Sequence, residues 1–131
     1  MKIKKTQKIK ISEKDIQKSV IDYLNILENQ GKIYFIRTNS FAGYIKRRNG
    51  TYGWIQNNKS GCPDIIVCGH SGKFIGLEIK VFSGKQSDYQ KLAEADIRKA
   101  GGEYYIVRSV EDVKMIIPCT KKVKEKESIY I

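Results

Sequence analysis

Apolar residues recur along the chain with two different periods, and these periods separate predicted helices from predicted strands. Over residues 13–30 they recur every three or four positions, with Ser12 as a candidate N-cap and Gly31 as a stop. The same kind of spacing predicts a second helix over 83–100 and a short third helix over 110–117. Three helices are therefore expected.

Short runs rich in β-branched and aromatic residues predict strands between these helices. The predicted strands cover residues 33–38, 63–68, 74–82 and 103–107. The second and third of them flank a Gly-His-Ser-Gly turn and form what we term the central hairpin (63–82). Two further strand-like runs flank Asn49-Gly50, which predicts a type I′ turn in a second hairpin (44–54), termed the basic hairpin. The order of elements predicts an α/β fold with a central mixed sheet flanked by helices.

Composition adds one strong feature, an excess of positive charge. Twenty-five Lys and Arg residues against 14 Asp and Glu residues give a net charge of +11, which favours a polyanionic partner, with nucleic acid as the leading candidate. The length of 131 residues suits a single domain, which we place at 12–117 between a basic N-terminal arm (1–11) and a charged C-terminal tail (118–131).

Several classes of protein are disfavoured by the same sequence. No apolar run approaches the roughly 20 residues that cross a bilayer, and the charged N-terminus leads into no secretory signal. The three cysteines are odd in number and form no C-x-x-C pair, so neither a disulfide framework nor a zinc site is expected. We therefore expect a cytoplasmic protein with no membrane partner and no small-molecule cofactor.

The central hairpin carries the most informative chemistry. If its turn is centred on Ser71, Asp64 lies directly opposite Glu78. Two carboxylates in this arrangement repel unless a cation lies between them, and hard divalent cations such as Mg²⁺ prefer oxygen ligands. Lys80 lies two residues beyond Glu78 and so points to the same face of the strand. Such a set suits hydrolysis of a phosphodiester, in which the metal activates water and the lysine orients it or stabilises developing charge.

The first predicted helix offers two further polar groups. Glu13 and Gln17 are four residues apart and therefore share a face, from which they can supply a metal ligand and a polar contact. A simpler interpretation remains open for both. A carboxylate in the first turn of a helix is also favoured by the helix dipole, and glutamines on helices often face solvent.

The basic hairpin and its flanks mix cations with aromatic residues. Lys46, Arg47 and Arg48 precede its turn, and Lys59 follows it. The aromatic residues of the same segment are Phe41, Tyr44, Tyr52 and Trp54. Cations can hold phosphates while aromatic rings stack on unpaired bases. Alternatively, the rings form cross-strand pairs and the charges only face water.

These motifs resemble a known nuclease family. The segment Gly61-Cys62-Pro63-Asp64, with Glu78-Ile79-Lys80 beginning fourteen positions after Asp64, resembles the core of PD-(D/E)XK nucleases, and the wider pattern is similar to their VRR-NUC branch. The resemblance covers about residues 12–115. Other residues that contribute to it are Glu13, Gln17, Arg37, Asn39, Gln90 and Arg108. It implies a restriction-endonuclease-like core in the order α-β-β-β-α-β, to which the basic hairpin is added.

The resemblance also implies roles for individual residues. It implies that Glu13, Asp64 and Glu78 hold Mg²⁺ or Mn²⁺, that Lys80 assists hydrolysis and that Gln90 lies beside the site. In one departure from the family pattern, Ser109 replaces the second arginine of the signature. The metal site is unaffected, but a phosphate contact from this position is not expected.

Together the residues and the resemblance predict a metal-dependent DNA endonuclease, expected in a bacterium or a phage-infected host cell. The candidate catalytic residues are Glu13, Gln17, Asp64, Glu78, Lys80 and Gln90, and the candidate nucleic-acid contacts are Arg37, Lys46, Arg47, Arg48, Lys59 and Arg108. Small stand-alone members of the family resemble Holliday-junction resolvases, which implies a homodimer acting on branched DNA. A flap or sequence-specific nuclease and a non-catalytic nucleic-acid-binding module are the alternatives.

Overall fold

The structure, a computed structural model, describes residues 9–38, 42–56 and 59–119, and these form three α-helices and six strands. In chain order they are α1 (Glu13–Asn29), β1 (Tyr34–Arg37), β2 (Ala42–Lys46), β3 (Tyr52–Gln56), β4 (Ile65–Cys68), β5 (Phe74–Ile79), α2 (Asp88–Lys99), β6 (Glu103–Val107) and α3 (Val110–Ile116). Asn39, Phe41 and most of the two terminal segments lie outside the described residues. No described helix has both the length and the apolar character needed to cross a bilayer.

Four of the strands form a central sheet in the order β1-β4-β5-β6. The first three are antiparallel to one another, and β6 runs parallel to β5 because α2 returns the chain to the same end of the sheet. β2 and β3 form a separate two-stranded sheet, inserted between β1 and β4 in the sequence. The predicted mixed sheet flanked by helices and the order α-β-β-β-α-β with an added hairpin are confirmed.

The hydrophobic core lies on one face of this sheet. Along β4 and β5, odd-numbered residues such as Ile65 and Leu77 point to this face and are fully buried. They pack against α1, whose Val20 and Leu24 are also fully buried, and against Val113 of α3. Even-numbered residues of β5 point to the opposite face, the face on which α2 lies. Strand alternation therefore places Glu78 on the α2 face.

The register of the central hairpin agrees with the sequence prediction. Ile65 pairs with Leu77 and Cys68 pairs with Phe74, around a turn whose apex, Ser71, has a left-handed φ of 59°. Extending this register by one residue brings Asp64, which directly precedes β4, level with Glu78. The two carboxylate-bearing positions therefore lie side by side, as expected.

The second helix begins five residues later than predicted. Ser87 is its N-cap, and a capping box joins the Ser87 and Gln90 side chains to each other's backbone N–H groups. The segment before it does not continue the helix because the Arg108 guanidinium donates hydrogen bonds to the carbonyl oxygens of Val81 and Gly84. The prediction of helix from residue 83 is therefore wrong at its start.

The turn of the basic hairpin also differs from the prediction. A type I′ turn needs positive φ at both central residues, but of Asn49 and Gly50 only Gly50 has it, at 85°. The Gly50 N–H donates to the Arg47 carbonyl, and the loop between the strands has five residues, 47–51. This geometry corresponds to a tight turn followed by a left-handed glycine, so the type I′ assignment is wrong although the hairpin itself is present.

Candidate active site

Asp64 is fixed at the start of β4 by hydrogen bonds on both sides. The Thr38 N–H donates to the Asp64 carbonyl oxygen over 3.0 Å, and the Thr38 hydroxyl donates to the Pro63 carbonyl oxygen over 2.6 Å. On the other side, the Ile79 N–H donates to the Asp64 carboxylate Oδ2 over 2.8 Å. The carboxylate is thereby held at the end of β5, next to Glu78.

Glu78 is a buried acid, with only 3% of its surface exposed. Its Oε1 accepts a hydrogen bond of 2.6 Å from Gln90 Nε2 and lies 3.9 Å from the Lys80 ammonium. Its Oε2 is also buried, and no hydrogen-bond partner for it exists among the described residues. An unpartnered buried carboxylate oxygen is costly, and the buried Tyr104 hydroxyl is the second such group among the described residues.

The surroundings of Glu78 change its acidity strongly. Burial and, after it, the nearby Asp64 carboxylate raise the pKa of Glu78 from 4.5 to about 8, against the opposing effect of the Lys80 ammonium. Without a nearby cation, these surroundings therefore favour the protonated form of Glu78. Strongly perturbed carboxylates of this kind are concentrated in functional sites.

A divalent cation fits these residues. Carboxylate oxygens are the ligands that Mg²⁺ and Mn²⁺ prefer, and positive charge near Glu78 would favour its ionised form and give Oε2 a partner. In the residues that the structure describes, however, no three Asp, Glu, His or Cys side chains come together as a metal site. Asp64 and Glu78 form a pair that Glu13 does not join. α1, which carries Glu13, packs against the opposite face of the sheet.

The first-helix candidates are thus the residues that the structure does not bring to the pair. Glu13 is exposed in the first turn of α1, and Gln17 is half-buried one turn later. The N-terminal capping box of this helix uses Ser12 and Asp15. The roles of Glu13 and Gln17 in catalysis remain predictions.

Two glycines allow neighbouring segments to pack closely around the carboxylate pair. A Cβ on Gly76, two residues before Glu78, would lie 2.7 Å from Cγ of Pro63, so the proline ring rests directly on the glycine. Gly61 has a φ of 78°, and a Cβ there would collide with the backbone carbonyl of Tyr89 in α2. The segment that carries Asp64 is therefore packed against both β5 and the first turn of α2.

An apolar groove lies beside this packing, between α2 and the sheet, with a volume of about 330 Å³. Its lining includes Pro63, Ile66, Phe74, Tyr89 and Leu92. No residue of α2 is buried, and Tyr89 and Leu92 expose most of their surface. The helix that carries Gln90 therefore packs loosely against the sheet, with no fully buried side chain.

Three residues near the carboxylates have no assigned role in the sequence interpretation. Thr38 directly follows β1 and holds the Pro63-Asp64 backbone, and its place in the strand predicted over 33–38 is the sequence feature that points to it. Burial raises the pKa of the Cys62 thiol, and Glu78 and Asp64 raise it further. Tyr104, 1% exposed, has a pKa raised to about 12 by burial, so its phenol is neutral at physiological pH. Strand alternation in β6 places Tyr104 on the α2 face, since it pairs with Gly76.

The predicted nucleic-acid contacts fall into two groups. Arg108 is half-buried, and its Nη1 donates to the carbonyls of the turn after β5, which gives it a structural role. The remaining cations are Arg37, Lys46, Arg47, Arg48 and Lys59, all exposed. Arg37 pairs with Ile65 and so lies one register step from Asp64, whereas Lys59 lines the groove beside α2.

Comparison with known proteins supplies an independent view of this fold. No family model and no curated protein matches the chain. Among solved structures, a VRR_NUC domain matches 80% of this chain and 92% of its own length, with 23% identity and a TM-score of 0.55. The expected resemblance and the PD-(D/E)XK-type fold class are thereby confirmed at the level of architecture. The chain has the fold of a VRR_NUC domain.

Proposed function

We propose that this protein is a divalent-metal-dependent nuclease that hydrolyses DNA phosphodiester bonds by attack of water. The observation that carries the proposal is the buried carboxylate of Glu78, with one oxygen unpartnered among the described residues and Asp64 beside it. The VRR_NUC fold and the net charge of +11 support the same conclusion. A structural carboxylate would be expected to have its oxygens satisfied by protein groups.

In this proposal Asp64 and Glu78 hold the cation, Mg²⁺ or Mn²⁺, whereas Glu13, which the structure does not bring to the pair, stays a sequence-based prediction. When bound, the cation supplies polarisation of the phosphoryl oxygen and a lowered pKa for water. Gln90 fixes the orientation of Glu78 through Oε1, and the Ile79 N–H fixes that of Asp64. Both carboxylates are thus oriented before substrate arrives.

Lys80 is the remaining charged group of the site. It lies on the same side of β5 as Glu78, and its side chain is largely buried. An ammonium group in this position can orient the attacking water or stabilise the negative charge that develops on the phosphate. We assign it this role, with no part in holding the cation.

We further propose branched DNA as the substrate and a homodimer as the working unit. A four-way junction has two strands to cut, and a C₂ dimer is the commonest way to present two symmetric sites. The proposal assigns this activity to the cytoplasm of a bacterium or of a phage-infected host. A flap or sequence-specific nuclease would use the same carboxylates and would differ only in how it holds DNA.

The direct test is cleavage of labelled linear, flap, fork and four-way DNA with Mg²⁺, with Mn²⁺ and with chelator. We expect cleavage only with metal, and its loss in Glu78→Gln while DNA affinity remains close to wild type. Glu111→Gln, which removes an exposed carboxylate from the first turn of α3, is the matched control and should cut normally. Cleavage in chelator, or full activity of Glu78→Gln, would refute the metal-dependent site.

Substrate and assembly need a separate readout. On a plasmid cruciform, paired symmetric cuts give linear product, whereas uncoupled cuts give nicked circles. A dimer of one wild-type and one Glu78→Gln subunit should therefore give mainly nicked circles. A monomer at micromolar concentration that cuts all four DNAs equally would remove the branched-DNA proposal and leave the nuclease proposal standing. Binding without any metal-dependent cutting would instead indicate a non-catalytic module.

A further inference from the structure

The basic hairpin, β2 and β3, presents large apolar side chains to solvent. Tyr44 is 72% exposed, Tyr52 66% and Trp54 59%, and within the part of the chain that the structure describes the two strands pair only with each other. A two-stranded hairpin with exposed rings is only marginally stable in water. Three exposed aromatic side chains on so small an element are therefore unusual unless a ligand covers them.

The register divides the hairpin into two chemically different faces. Tyr44 lies opposite Trp54 and Lys46 lies opposite Tyr52, so these four side chains share one face, which we term the aromatic face. The Tyr44 and Trp54 rings meet edge to face, with centroids 5.2 Å apart and an interplanar angle of 77°. The aromatic face therefore combines three rings with one cation.

The opposite face of the hairpin is covered in part by the Arg47 side chain. Ile45 lies opposite Gly53, and the Arg47 guanidinium covers Gly53 so closely that a Cβ on this glycine would collide with it. Gly53 is buried as a result, although its neighbours Tyr52 and Trp54 are exposed. Arg47 is thus drawn to the face away from the rings, and of the neighbouring cations only Lys46 belongs to a strand position on the aromatic face.

The charge of the segment around the hairpin indicates which kind of ligand can bind to the aromatic face. From Asn29 to Pro63 the sequence contains no Asp or Glu, and it contains six Lys or Arg residues. A second copy of the same face would bring like charges together, which disfavours self-association. A polyanion with exposed flat rings matches both the cations and the aromatic side chains. Single-stranded DNA has this chemistry, whereas the bases of a duplex are already stacked on one another.

We propose that the aromatic face binds unpaired bases of single-stranded DNA, with Tyr44, Tyr52 and Trp54 as stacking partners and Lys46 as a phosphate contact. The inference rests on the proposed function for its choice of DNA, and it deepens that function by naming an unpaired strand as part of the substrate. Binding to this face requires no metal and no cleavage, so it can be tested separately.

The test uses the intrinsic fluorescence of Trp54, the only tryptophan in the chain. The 131-residue chain is titrated with oligo-dT in chelator, and in parallel with a blunt duplex of equal phosphate number. We expect saturable quenching by oligo-dT and much weaker quenching by the duplex. Because stacking contributes roughly 1–3 kcal/mol per base, Tyr44→Ala should weaken oligo-dT binding about fivefold or more.

Controls separate stacking from folding and from charge. Tyr44→Phe retains the ring and should bind nearly as wild type, whereas Tyr34→Ala removes a comparably exposed tyrosine (65%) from β1 and should change nothing. Lys46→Ala should lower the slope of log affinity against log salt by about 0.7, the value for one phosphate contact on a single strand. Arg47→Ala should lower this slope less than Lys46→Ala does.

Each other outcome overturns the inference. Absence of quenching by oligo-dT, equal quenching by the duplex, or a loss of binding in Tyr34→Ala as large as in Tyr44→Ala would exclude the aromatic face as a single-strand site. A change in Trp54 emission with protein concentration alone would assign the face to self-association. If the protein cuts DNA with metal but shows no quenching, the proposed function stands and this inference is refuted. If it shows quenching but no metal-dependent cutting, this inference stands and the proposed nuclease function is refuted.

Discussion

The acidity of Glu78 leads to a prediction about stability, tested by replacing it with glutamine. Glutamine has nearly the same shape and can still accept the hydrogen bond from Gln90 through its Oε1. It cannot ionise. The protein without metal should therefore tolerate Glu78→Gln well and, at alkaline pH, become more stable than wild type while losing cleavage.

The size of the effect follows from the pKa. The pKa of Glu78 rises from 4.5 to about 8 on folding, so between these values the folded state binds more protons than the unfolded state. Stability from this group is complete below pH 4.5 and is lost as the pH rises to 8. At 1.36 kcal/mol per pKa unit, the full loss is roughly 5 kcal/mol, which is an upper limit because Asp64 and Glu78 titrate as a pair.

The assay is urea unfolding in chelator at several values between pH 5 and pH 9. The unfolding free energy of the wild type should fall across this range, and that of Glu78→Gln should stay nearly level, so that the two curves diverge with pH. The other groups that titrate in this range are common to both proteins, so the difference between the two curves isolates the contribution of residue 78. Glu111→Gln, the exposed-carboxylate control, should follow the wild-type curve, and Mg²⁺ should restore wild-type stability at high pH. Parallel curves for wild type and Glu78→Gln would refute a buried, desolvated carboxylate.

The other substitutions test neighbouring parts of the site. Asp64→Asn retains an oxygen for the Ile79 N–H but loses a charge, so cleavage should disappear while DNA affinity measured by anisotropy stays close to wild type. Lys80→Ala should lower the single-turnover rate by at least tenfold with unchanged metal affinity by calorimetry, and loss of metal binding would contradict its assigned role. Gly76→Ala must displace the Pro63 ring and should cost about 1–3 kcal/mol in urea unfolding, together with reduced cleavage. Arg108→Ala should destabilise by about 1–3 kcal/mol, and a large loss of DNA affinity at unchanged stability would instead indicate a phosphate contact.

The pairing of the two carboxylates could be predicted from sequence because a short turn fixes the register of a hairpin. Once Ser71 is taken as the apex, every partner in β4 and β5 follows, and Asp64 falls next to Glu78. The helix α1 and the strand β6 could also be predicted from the sequence. Their apolar residues follow one clear period, and their ends have capping or glycine signals. The local sequence pattern is therefore sufficient to predict an element where its apolar residues follow a single period.

Other features depend on contacts between distant segments and could not be predicted in this way. Residues 83–88 carry no apolar side chain, and the turn after β5 is held in a non-helical conformation by Arg108, which lies 24 residues beyond Gly84. Periodicity places Glu13 and Gln17 on one face of α1 but does not specify on which side of the sheet the helix packs. The separation of Lys46 from Arg47 follows from strand alternation, yet the covering of Gly53 by Arg47 is visible only in three dimensions.

The close packing of Gly61 on Tyr89 has a mechanical consequence. Gly61 begins the segment that leads to Asp64, and Tyr89 directly precedes Gln90, which orients Glu78. A shift of α2 would therefore be transmitted to both carboxylates at once, to one through the backbone and to the other through a side chain. The apolar groove lies between the same helix and the sheet. A small hydrophobic compound bound there would displace α2 and so misalign the two carboxylates. It would do so without competing with DNA or with a cation for the carboxylates themselves.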